Sequence, residues 1–228
     1  MQKILWPRYL WLLMLVYAQA LVVANWFDAR LIALGPFVTD AGTILFPLTF
    51  IVGDIITEVY GYQYARQAIW IGFFTNLIVL LYGQLMIHLP SPLDAPFNHL
   101  FTTLLMQNLR ICLASSISYL CAEPANAYLI AKLKILFHGR SMWFRFLLST
   151  IVGASIDTTL FSMIAFYRVI PSQEIVVMIG TVWLAKVMIE IISLPFSTAL
   201  AKKLKVIEGV DQYDSNTKFT MWRWKISY

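Results

Sequence analysis

Charge is what this 228-residue chain has least of. Asp, Glu, Lys and Arg make up 13% of it, against 60% hydrophobic residues. A soluble domain carries about 25% charged residues, so a soluble globular reading is excluded. Cysteine is also scarce. Cys112 and Cys121 lie nine residues apart in one apolar run, with neither the spacing nor the setting of a metal or redox pair. His88, His99 and His138 show no ligand spacing, so no metal is expected. The chain has no Gly-rich phosphate loop, nucleophile elbow or HExxH motif, and no internal repeat. Neither a cofactor nor an enzymatic activity is therefore expected, and any use of ATP requires other subunits.

What fills the chain instead is long apolar runs, each near the roughly 20 residues a helix needs to cross hydrocarbon. Six are legible: Ile4–Ala24, Ile44–Tyr60, Ala68–Leu89, Leu109–Ala131, Trp143–Tyr167 and Ile175–Leu200. None shows the alternation of barrel strands, and only helices or closed barrels satisfy the backbone in lipid. The pattern predicts an all-α polytopic membrane protein of six transmembrane helices, with residues 1–201 as the membrane domain and 202–228 as a charged, aromatic tail. Ala18-Gln19-Ala20 resembles a signal-peptide cleavage site, but the apolar run continues to Ala24, so this helix is expected to be retained.

Basic residues set the expected orientation. Lys3 and Arg8, Arg66, the group Lys132, Lys134, Arg140 and Arg145, and six more between Lys202 and Lys225 all fall on one side. The other side holds Arg30 and Arg168. Positive residues stay inside, so both termini are expected in the cytoplasm. The net charge of +5 then needs no nucleic acid as partner; the lipid bilayer is partner enough. The loop Pro90–Pro96 is expected to break its helix at the outer interface, and Trp222-Arg223-Trp224-Lys225 suits an interfacial anchor.

Polar residues within the spans carry the functional signal, because an ionisable group at bilayer depth costs roughly 2.5–3.5 kcal/mol on insertion scales and faces a cavity or a partner. Asp54 and Glu58 sit one helical turn apart in the second span. The fourth span carries Ser115, Ser118, Glu123 and Asn126. The fifth carries Arg145, Ser149, Gly153 and Asp157 at intervals of four, a single face. The sixth carries Lys186, Glu190, Ser193 and Ser197, with Pro195 among them, and the first contributes Gln19 and Asn25. Small residues on such stripes also serve plain helix packing. Lys186 can pair with Glu190 at i,i+4, and Asp157 with Arg145 or Lys186. Five acids against one base clearly at depth, Lys186, predict that some acid is protonated, hydrated or open to a ligand. Asp54 and Glu58, about 6 Å apart along the axis, are not both expected to be ionised, and one is a candidate proton carrier.

The run Phe46-Pro47 through Gly53-Asp54, Thr57-Glu58 and Gly61-Tyr62 resembles the signature of the queuosine precursor transporter family, also called the vitamin uptake transporter family. Arg110 with Ala114-Ser115, Glu123-Pro124-Ala125-Asn126 with Lys132-Leu133, Ser149-Thr150 with Asp157-Thr158, Ile164-Ala165-Phe166, and Lys186 with Pro195 match it too, in order. The resemblance implies a bacterial inner-membrane, multi-pass importer of six helices around a central cavity, similar to the substrate-binding components of energy-coupling-factor transporters. It implies uptake of 7-deazaguanine precursors of the tRNA base queuosine. Asn25, Asp54, Arg110, Asn126, Asp157 and Lys186 match the family's polar motif. With the acids Glu58, Glu123 and Glu190 they form the expected substrate-binding set. Glu123 and Asn126 are expected to read the base edge, and Tyr60, Tyr119, Trp183 or Phe50 to stack on it. Glu123 and Asn126 stand where some relatives have Gln and Asp, which leaves the cyano, aminomethyl and queuine forms all open. An ATP-driven module docking on Ala20-xxx-Ala24 and a homodimer are further expectations. A channel or a membrane enzyme is the alternative reading, although no nucleophile–base pair and no ring-forming repeat supports it.

Overall fold

A computed structural model of the chain describes residues 7–28, 30–34, 37–90, 92, 97–215 and 217–222. Lys3, Arg223, Lys225 and most of the loop Pro90–Pro96, on which parts of the sequence reading rest, lie outside the described residues. Among the described residues, six helices are long and apolar enough to span a membrane. They are α1 (Leu10–Phe27), α2 (Pro47–Tyr60), α3 (Tyr62–Ile87), α4 (Asn98–Leu136), α5 (Met142–Phe166) and α6 (Ser172–Glu208). A 3-10 turn, Gly42–Ile44, leads into α2. The loop expected around Arg30 runs into an antiparallel hairpin, β1 (Leu31–Leu34) with β2 (Phe37–Asp40), pairing Leu31 with Asp40 through Leu34 with Phe37.

The chain is a multi-pass membrane protein, and its surface shows why. Trp11, Ile78, Leu81, Ile117, Val176 and Ile192 are exposed, while Asp54, Glu58, Glu123, Arg145 and Lys134 are buried. A water-soluble fold sorts residues the other way. Here lipid takes the apolar rim, and polar groups find one another inside.

Two helices are longer than the sequence suggests. With 39 and 37 residues, α4 and α6 extend about 58 and 55 Å, well past a hydrocarbon core of about 30 Å. Both continue through a proline, Pro124 and Pro195. The boundary expected at residue 201 falls inside α6, and the chain leaves the helix only at Gly209, whose φ of +64° forms a left-handed cap.

At the centre lies α2, the most enclosed of the spans. Pro47 starts it, where a missing N–H costs nothing. Gly61 alone separates it from α3, at φ +91°, a conformation open to glycine and strained for other residues. The remaining helices surround it, with α4 and α5 packed most extensively on each other. Ala20 and Ala24 of α1 are both buried within this bundle. The expectation that they dock a partner therefore fails: Ala24 faces the Gly42 turn of its own chain.

The end of the bundle that carries Lys134 and Arg145 is closed by the chain's own tail. Gln212 N–H donates to the Val59 carbonyl at 3.2 Å. Tyr62 N–H donates to Asp214 at 2.9 Å, capping α3. The Arg66 guanidinium reaches the Thr220 carbonyl, and the Trp70 indole the Met221 carbonyl. Glu208 accepts from the Arg8 and Tyr9 amides and from the Tyr60 hydroxyl, tying the start of α1 to the end of α6. Partial burial works to raise the Asp211 carboxyl, but hydrogen bonds and charge from Lys134 and Lys205 outweigh it and hold the group below the usual range.

Candidate functional site

Polar side chains stack along α2 in layers about one helical turn apart. Beginning at the end that carries the hairpin, a pocket lies between α1, α2, α4, α5 and α6. Its mouth holds Asp28, Asp40 and Thr43, its walls Phe161, Phe166, Met178 and Val182, and its floor Phe46, Ser115, Asp157 and Lys186. The enclosed space between these walls falls well short of the roughly 300–1,000 Å³ of small-molecule sites. It is narrow, and little of it admits even a water centre, so a flat ring enters only if the walls part.

The floor is an ion pair. Lys186 Nζ lies 2.5 Å from Asp157 Oδ2, and the Ser118 hydroxyl donates to Asp157 Oδ1 at 2.7 Å. The ammonium also sits 4.7 Å from the centre of the Phe46 ring, a cation–π contact strengthened by desolvation. Of the two pairings left open by sequence for Lys186, the fold realises the one across helices rather than the i,i+4 contact with Glu190. At the mouth, burial and then the neighbouring Asp40 push the Asp28 carboxyl well above its ordinary value. Asp40 in turn accepts from the Thr43 amide and hydroxyl at 2.6 and 2.8 Å.

Beneath the floor lies Glu123. The Thr49 hydroxyl is 3.4 Å from its carboxylate and the Tyr17 hydroxyl faces it. Tyr17 and Tyr119 hydroxyls stand 2.9 Å apart behind it. Gly53 faces the carboxylate across α2: a Cβ there would stand in van der Waals contact, 3.4 Å from Glu123 Oε2.

One layer further, the Asn126 amide donates to Asp54 Oδ1 at 2.6 Å, with Glu190 as Asp54's acidic neighbour from α6. These three do not line the pocket. Deepest is Glu58. Arg145 grips it with two nitrogens at 2.5 and 2.9 Å, Lys205 lies at 2.6 Å and Lys134 at 3.8 Å.

The nine residues expected to bind substrate thus separate. Asp157 and Lys186 form the floor, with Glu123 directly behind. Asn25 touches the same region through Ser115, whose hydroxyl donates to its amide oxygen, but its own side borders a second, apolar pocket with Trp26, Leu80 and Leu105. Glu58 is an anchor of the tail-side charge cluster, because three cations surround it. Arg110 is exposed at the opposite end, donating to the Ile164 and Tyr167 carbonyls at 2.9 and 2.8 Å; it caps α5 and stands clear of the pocket. Of the expected stacking rings, Tyr60 bonds Glu208, Tyr119 bonds the Ile69 carbonyl, Trp183 reaches Ser155 and Phe50 packs at Gly153. Phe46, Phe161 and Phe166 line the pocket instead. With 15% aromatic residues, no spacing rule singles them out.

Residues 40–200 match the model of a protein family described as "Putative vitamin uptake transporter". Over 187 residues, 81% of each chain, the sequence is 27% identical to a Bacillus subtilis (strain 168) protein named "Probable queuosine precursor transporter". No solved structure matches the chain.

Proposed function

Because the chain belongs to the vitamin uptake transporter family, we propose that this membrane transporter imports 7-deazaguanine precursors of queuosine across a bacterial inner membrane. The observation that carries this reading is the ring-lined pocket above a buried Asp157–Lys186 floor. The name of the Bacillus relative supports the substrate class. Phe46, Phe161 and Phe166 offer faces for a flat base, and base–aromatic stacking contributes about 1–3 kcal/mol per base. A guanine-like edge presents parallel N–H donors, which a carboxylate accepts in pairs. Asp157 is already shared between Lys186 and Ser118, so Glu123 is the acceptor with capacity to spare once the floor opens. Asp40 at the mouth provides counter-charge for an aminomethyl form. The tail-side charge cluster closes the opposite end, so the pocket is loaded from the hairpin side and emptied toward the tail.

Binding of radiolabelled 7-deazaguanines to the purified protein in detergent tests this. Phe161→Ala and Glu123→Gln are each expected to weaken binding by roughly 10–100-fold, the loss of one stack or one charge-assisted hydrogen bond. Unchanged affinity in both, with folded protein, ends the assignment. Saturable binding without chemical turnover separates a transporter from an enzyme.

A further inference from the structure

Glu190 has no use in the reading above. Its carboxyl is buried, 1% exposed, and neither oxygen meets a hydrogen-bond donor among the described residues. Its neighbour one turn up α6, Lys186, is committed to Asp157. Across the interface, Asp54 Oδ2 is also without a partner, and so is Asn126 Oδ1. Four buried oxygens without a partner therefore share the layer between α2, α4 and α6, and the Asn126 Nδ2 to Asp54 Oδ1 hydrogen bond beside them involves none of the four.

The charges facing this layer leave the imbalance in place. From α2 come Asp54 itself and Glu58, the latter held by Arg145 and Lys205. From α4 comes Glu123. From α5 the charged groups are Asp157 and Arg145, each already paired; α6 adds Lys186, paired with Asp157, and Lys205, which like Lys134 of α4 is held by Glu58 and Asp211. No cation among the described residues contacts Asp54 or Glu190. An ionised carboxylate in such a dry setting is strongly disfavoured, and protonation removes the charge. Nor is the layer built for a metal: no three acidic, His or Cys side chains among the described residues converge on one.

We propose that Glu190, with Asp54 and Asn126 beside it, is a proton-binding site distinct from the substrate pocket, and that its proton travels with the substrate. The Lys186–Asp157 floor separates the two sites. Glu58, one turn from Asp54 on α2 and ringed by Lys205 and Lys134, lies on the way to the tail side and marks the direction of release. The proton's role in transport rests on the importer reading; its binding does not.

The full-length protein in proteoliposomes tests this, with membrane potential clamped and the outside one pH unit more acidic than the lumen. One proton per neutral substrate supports about tenfold accumulation of labelled 7-deazaguanine. Glu190→Gln, nearly the same shape, is expected to bind the label and exchange it at wild-type rates, yet to equilibrate at a ratio of one. Gradient-driven accumulation at the wild-type level in this variant overturns the proposal, and so does loss of binding, which would make Glu190 a substrate contact. An infrared measurement without substrate separates the two readings. The wild type at neutral pH is expected to show, beside the absorption of the Asp28 carboxyl, a further protonated-carboxyl band that Glu190→Gln removes. An unchanged band refutes the proton site even if transport is confirmed, and a lost band upholds it even if 7-deazaguanine proves to be the wrong substrate.

Discussion

Neutralising Glu58 isolates the tail-side charge cluster from the substrate pocket. Arg145, Lys134 and Lys205 bring three positive charges to this end, and Glu58 and Asp211 bring two negative ones. Glu58→Gln leaves Arg145, fully buried, facing a neutral amide with no opposite charge, its other acceptors being the Arg140 and Gly139 carbonyls at 3.2 and 3.5 Å. Breaking a buried pair in this manner costs about 3–5 kcal/mol. Asp211 still holds Lys134 and Lys205 at 2.6 and 2.7 Å, so the damage concentrates at Arg145. Thermal denaturation in detergent is expected to show a melting temperature lower by on the order of 10 °C. The double variant Glu58→Gln/Arg145→Gln restores the original charge balance. It is expected to be less damaging than the summed singles by about 2–3 kcal/mol. Strict additivity, or a single variant within 1 kcal/mol of wild type, would refute the reasoning and leave the cluster a bystander.

Three other outcomes follow from the packing and the charges. Arg110→Ala removes two hydrogen bonds from the end of α5 and is expected to lower stability by about 1–2 kcal/mol while leaving ligand affinity unchanged; a large affinity loss in a binding isotherm would return Arg110 to the site. Gly72→Ala places a Cβ 2.9 Å from the Tyr119 hydroxyl and 3.2 Å from Leu21 and Tyr17, so overpacking is expected to cost about 1–3 kcal/mol in a thermal melt. Asp28 has a raised carboxyl, so the folded state keeps a proton that the unfolded chain releases above about pH 4. Stability therefore falls as pH rises from that value toward the elevated one. Asp28→Asn is expected to flatten this limb, and melts across a pH series that retain the wild-type slope would refute it.

Composition and run length alone determined that the chain is a multi-pass membrane protein with six helices long and apolar enough to cross. Hydrocarbon leaves few solutions for a backbone, and each solution writes about 20 apolar residues into the sequence. The same economy made the buried acids conspicuous: Asp54, Glu58, Glu123, Asp157 and Glu190 could be picked out without a structure because each is costly in lipid. Helix ends were less legible. Past the hydrocarbon the apolar signal stops, while α4 and α6 continue as helices on tertiary support. The hairpin between α1 and α2 had no alternating signal of its own.

Which charges meet was decided only by the tertiary structure. Lys186 had two partners open to it in sequence, and the fold gave it Asp157. Arg145 and Glu58, 87 positions apart, form the deepest pair, a contact that no helical periodicity encodes. That pairing turned Glu58 from a candidate ligand into an anchor, and it left Glu190 without the base four residues before it. Sequence fixes the cost of each buried charge, since that depends on residue type and apolar surroundings. Its relief depends on which helices pack side by side and at what height, information that resides in contacts between distant segments.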